Sequence, residues 1–145
     1  MEISFNNLSD HLLKAGEKLA SLDSSTTRDE VFIMLQQAIK ICLDQLAHSY
    51  SITRSDNLID LFESIKAKYP KPTNSQEFTK TDQGLKRLSE IVPIDFKHHK
   101  NEHIIQTTLS ISSDDIVLLN ETAHSLWLMA LRREDEINGV LRPGL

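Results

Sequence analysis

The chain has 145 residues, with 16 Lys and Arg against 21 Asp and Glu for a formal net charge of −5. That is a one-domain length, and the acidic balance makes non-specific duplex binding a poor fit. Four Gly and four Pro are about half the usual share of roughly 12%, which argues against a loop-rich or many-turned β architecture.

The first predicted element carries Phe5, Leu8, Leu12, Ala15, Leu19 and Leu22 at alternating gaps of three and four, the stripe of an amphipathic helix with one buried face. Gly16 within it costs about 1 kcal/mol relative to Ala and hints at close packing. After the break at residues 23–26, Thr27-Arg28-Asp29-Glu30 has capping-box spacing. A longer helix to about Tyr50 follows, burying Val31, Phe32, Leu35, Ala38, Ile39, Cys42, Leu43 and Leu46. Its apolar face is the broader of the two, which makes it the expected central helix.

Ser55-Asp56 reads as the next helix start, with acidic charge where the helix dipole favours it. That helix carries Leu58, Leu61, Phe62, Ile65 and Tyr69 and must stop before Pro70. Residues 70–79, with two prolines and no periodicity, read as an exposed loop. A short fourth helix over about 81–92 uses Leu85, Leu88, Ile91 and Val92. Ile105, Thr107, Leu109 and Ile111 then alternate with polar neighbours, the pattern of a short strand or of an extended lead-in to the last helix. Ser113 before Asp114-Asp115 is the expected final N-cap. The last helix reaches about Asn138, with Ile116, Leu119, Ala123, Leu126, Trp127, Ala130 and Leu131 as its buried set and Gly139 just beyond its end. The expected fold is therefore mainly α: an up-and-down bundle of about five helices in one domain, 1–145, with a strand candidate near 104–111 and a flexible tail at 139–145.

A hydrophobic share of 39% with 26% charged residues fits a soluble globular chain rather than a disordered one. The single cysteine excludes an intrachain disulfide framework and a Cys-rich zinc module. No apolar run approaches the roughly 20 residues of a membrane span. The start, MEISFNNLSDHL, lacks the basic and apolar regions of a signal peptide, so a cytoplasmic location is expected.

Lys97, His98, His99 and Lys100, with His103 close behind, form the most conspicuous polar cluster. On a helix His99 and His103 would share a face and could reach one metal ion, with Asp95 or Glu102 the nearest third ligand. The Glu of an H-E-x-x-H motif is missing. The favoured reading is a solvated, mildly basic loop with no metal and no cofactor. Anion or RNA-phosphate contact is its functional counterpart. Arg54 and Asp56 read as helix-start chemistry. Arg132-Arg133 before Glu134, Asp135 and Glu136 reads as a mixed-charge helix face, with a recognition patch as the functional alternative. Cys42, on the apolar face of the longest helix, is expected to be a buried structural thiol. Trp127, between Leu126 and Leu128-Met129, belongs to the core or to a subunit interface. Four consecutive apolar residues exceed what one helix face hides in a small monomer. There is no Gly-rich phosphate loop, no G-x-S-x-G elbow and no interleaving of aromatic with basic residues.

The run Leu35-Gln36-Gln37-Ala38-Ile39-Lys40, followed by Ser55-Asp56-Asn57-Leu58-Ile59-Asp60-Leu61-Phe62, resembles the HEPN domains. Members of that family commonly show a Gln-Gln-Ala-hydrophobic run in the second helix and a His-Asp-Leu-x-x-Leu start to the third. Here Asp56, Leu58 and Leu61 echo that start, while Ser55 stands where the histidine would be. The resemblance covers roughly residues 5–69 and, more loosely, the final helix. It implies a helical bundle, often dimeric, of the kind found in toxin–antitoxin, phage-defence and RNA-processing systems. Ribonuclease members of the family use an Arg followed, after four to six intervening residues, by a His, and no arginine of this chain has that partner. The resemblance therefore carries over no catalytic residue.

These readings lead to an expected non-catalytic, HEPN-like bundle that works by protein–protein association, as a homodimer or with a protein partner, with Trp127, Leu128, Met129, Arg132 and Arg133 as interface candidates. It would be an accessory or regulatory piece of a bacterial defence, toxin–antitoxin or RNA-linked system. One alternative is a ribonuclease using His98, His99 or His103 as acid and base, with Lys97 or Lys100 steadying the phosphate. Another is a small acidic immunity or inhibitor protein matched to a basic toxin or nuclease.

Overall fold

Two long helices with wide apolar arcs form the centre of the bundle, and shorter helices cover their flanks. The computed structural model describes residues 5–53, 57–69, 75–91 and 111–139. Among these residues five α-helices follow in chain order: α1 (Leu8–Glu17), α2 (Ser25–Ser49), α3 (Leu58–Lys68), α4 (Ser75–Ile91) and α5 (Ser113–Asn138), with 3-10 turns at Phe5–Asn7 and Lys18–Ser21. None of the described residues is in a strand, so the chain is a mainly α helical bundle. Of the strand candidate near 104–111 only Ile111 falls among the described residues, where it is buried in irregular backbone just ahead of α5.

All eight side chains expected inside α2, from Val31 to Leu46, are buried, and Ala47 joins them. An apolar arc that wide needs neighbours on more than one side. It has them: α2 packs most extensively on α5 and also meets α1 and α3, while α4 lies against α5 and α3. From α5 the core takes Ile116, Leu119, Ala123, Leu126, Met129 and Ala130. Each large side chain so placed contributes roughly 1.5–3 kcal/mol relative to an exposed one.

The helix ends differ from expectation by small, explicable shifts. α2 starts before Thr27, because Ser24 adopts extended backbone (ψ 128°) and its hydroxyl accepts the Thr27 amide at 3.4 Å. Thr27 is therefore the capped residue rather than the cap. α3 is capped by Asn57, whose side-chain oxygen accepts the amides of Ile59 and Asp60 at 3.0 and 3.2 Å; Arg54, Ser55 and Asp56 lie outside the described residues. α5 is capped by Ser112, one residue ahead of Ser113, since only Ser112 has Asp115 at the N3 position to complete a reciprocal capping box. Its other end closes on Gly139 in the left-handed region at φ 69°, a conformation that glycine adopts without a Cβ clash.

α4 corrects the reading of residues 70–79 as a loop, because its helix already begins at Ser75. The reason is Phe78, whose ring meets Phe62 edge-on at 5.7 Å and Tyr69 at 6.3 Å. Phe78 extends the Leu85–Leu88 stripe backwards through Thr81, a polar residue that is fully buried. Thr81 interrupts the hydrophobic pattern that would have announced this extra turn.

The crossing of α4 and α5 is set by Gly84. A Cβ built there would lie 1.8 Å from Thr122 Oγ1 and 2.8 Å from Thr122 Cβ, so only glycine lets the two backbones approach this closely. Thr122 itself is buried, its hydroxyl donating to the Leu118 carbonyl at 2.8 Å. Gly16, the glycine that hinted at close packing, has nothing within 4 Å of its Cβ position.

Candidate functional site

α5 holds the interface candidates Trp127, Leu128, Met129, Arg132 and Arg133, and it is pinned at both ends. At its start the Asp115 carboxylate accepts Arg87 Nε at 2.7 Å and Nη2 at 3.0 Å, and also the Ser112 amide at 3.1 Å. The Ser112 hydroxyl accepts the Asp115 amide in return. A two-pronged guanidinium contact of this kind is directional as well as strong. The Arg87 hydrogen bonds hold the Asp115 carboxyl below its usual range, outweighing the opposite effect of its burial. On the same end of the bundle the Leu22 carbonyl accepts Arg28 Nη1 at 2.6 Å and the Ser113 hydroxyl at 3.4 Å. The turn after α1 and the start of α5 are thereby joined.

At the other end of α5, Arg133 reaches across to the last turn of α2. Its Nη2 donates to the Ser49 carbonyl at 2.9 Å, its Nε to the Ser49 hydroxyl at 3.3 Å, and its Nη1 to Glu136 at 2.6 Å. The guanidinium lies 4.0 Å above the centre of the Tyr50 ring, within cation–π range. A cation here satisfies a carbonyl that the helix end leaves without an intrahelical partner and complements the negative end of the α2 dipole. Burial pushes the Tyr50 phenol above its ordinary value, with Arg133 opposing that rise. The expected mixed-charge face at Arg132-Arg133 thus contains an inter-helix clamp, Arg133.

Between these clamps the four-residue run Leu126–Met129 divides. Helical steps of about 100° per residue send Leu126 and Met129 into the core, both with no exposed surface. Met129 is therefore a core residue, not an interface residue. Trp127 and Leu128 lie further round the helix and are only partly buried, as is Leu131. Trp127 packs against the core and meets the His124 ring edge-on at 6.3 Å. Burial pushes the His124 imidazole below its ordinary pKa. About two turns before His124, towards the start of α5, Val117 is 45% exposed. α5 thus combines a mainly apolar buried face with apolar side chains on its outer flank still reached by solvent.

Other charged groups serve the bundle. Lys66 of α3 contacts Glu63 at 2.6 Å and Asp82 of α4 at 2.9 Å, with its ammonium 5.1 Å from the Phe62 ring centre and 5.7 Å from that of Phe78. Burial would lower its pKa, but the Glu63 and Asp82 hydrogen bonds outweigh burial and hold it above the ordinary lysine value. His11 Nε2 lies 2.9 Å from the Met34 carbonyl and helps seat α1 on α2. Cys42 is fully buried and its thiol is pushed well above the ordinary range by that burial, the state of a structural thiol and not of a nucleophile.

Lys97, His98, His99, Lys100 and His103 lie outside the described residues. So do Asp95 and Glu102, the further ligands of the metal reading. Among the described residues no three His, Cys, Asp or Glu side chains are grouped so that they could hold a metal ion. None of the helices among them is long and apolar enough to cross a membrane.

The Arg87–Asp115 clamp is the feature that sequence reasoning missed most completely. Ser112-x-x-Asp115 carries a local signal in its capping-box spacing, but Arg87 lies 28 residues away and no local pattern joins it to Asp115. Comparison with known proteins adds no relative: no family model, no curated protein and no solved structure matches the chain.

Proposed function

We propose that this protein is a non-catalytic helical bundle that works by association, pairing with a second copy through the outer flank of α5. The observation that carries this reading is the second apolar surface of α5, where Trp127, Leu128 and Leu131 remain partly exposed and Val117 is 45% exposed beside a helix face already filled by the core. Apolar surface grouped on one element is the usual mark of a contact site. The charged groups at the two ends of α5 do not compete with this reading, since Arg87, Asp115 and Arg133 are engaged in joining helices. In the role suggested by the HEPN resemblance, the bundle would be an accessory or regulatory component of a bacterial defence, toxin–antitoxin or RNA-linked system.

Sedimentation of the full chain at tens of micromolar tests the association. The expected result is a dimer, with Leu128→Glu weakening it by about tenfold or more, as removal of a central apolar contact does, at unchanged helical circular dichroism. A parent chain that stays monomeric throughout that range overturns the pairing. The ribonuclease alternative is tested separately with RNA. Cleavage by the parent that disappears in His98→Ala/His99→Ala would establish catalysis by the 97–103 cluster and sink the non-catalytic reading.

A further inference from the structure

We draw no further inference here: the strongest candidate, the outer flank of α5 at Trp127, Leu128 and Leu131, belongs to the association surface already described, and nothing in the structure shows what covers it.

Discussion

A methyl group added at Gly16 of α1 would meet nothing within 4 Å, whereas one added at Gly84 of α4 would overlap Thr122 Oγ1 at 1.8 Å. The two glycines belong to regions built on different terms. α1 is a short satellite seated on α2 by Leu8, Leu12 and Ala15, its opposite side leaving Leu13 65% exposed. The α4–α5 seam is a close backbone approach, locked at one end by the Arg87–Asp115 clamp. The same residue type is replaceable in the first region and irreplaceable in the second. What decides is the distance to the neighbouring helix, not the helical propensity of glycine.

The sharpest way to break this contrast is Gly84→Ala. Overpacking against a buried side chain typically costs roughly 1–3 kcal/mol, and a separation of only 1.8 Å from Thr122 Oγ1 places this case at the upper end, about 3 kcal/mol. Urea unfolding should show a large fall in midpoint; an unchanged midpoint would mean that α4 and α5 do not approach as closely as described. Next in size is Asp115→Ala, which removes both the capping box and the guanidinium contact at the mouth of the seam. A loss of roughly 2 kcal/mol is expected. It should also alter the acid limb of stability. Because the folded carboxyl titrates below its unfolded value of about 3.9, its contribution is present above that pH and is lost as pH falls through the lower folded value. A thermal-melt series below pH 5 in which parent and variant run parallel would remove Asp115 from that role.

Gly16→Ala should move the other way, raising stability by up to about 1 kcal/mol through better helix propensity in an open site. A destabilised Gly16→Ala protein would show that α1 is packed on both sides and would erase the contrast. The smallest effect is expected at His124. Burial holds its folded pKa below the unfolded value of about 6.5. Its contribution is therefore complete above that pH and declines as pH falls through the lower folded value. His124→Gln should flatten the dependence of melting temperature on pH below about 6.5, and an equally steep dependence would assign the titration to another group.

Hydropathy periodicity made α2, α3 and the inner face of α5 legible, because a buried stripe repeating every three or four residues is a local property of the chain. Leu58, Leu61, Phe62 and Ile65 are buried where that pattern put them. Periodicity failed where one polar residue interrupted a stripe: Thr81 concealed the first turns of α4 and the aromatic contacts of Phe78. It also treated Leu126–Met129 as one apolar block, although helical geometry separates Met129 from Trp127 and Leu128. The caps were legible in kind and displaced in position, since Ser, Thr, Asn and Asp crowd each helix start and backbone geometry chooses among them. The clamps at Asp115 and Arg133 and the tight seat of Gly84 were not legible. Each depends on a partner 28 or more residues distant, and nothing in local sequence encodes that distance.

Cys42 has a practical consequence of its own. As the single cysteine of the chain, fully buried on the helix that packs most extensively on α5, it is shielded from a thiol-specific reagent until the bundle opens around α2. The rate at which such a reagent labels the native protein therefore reports opening of the bundle around this one position of α2.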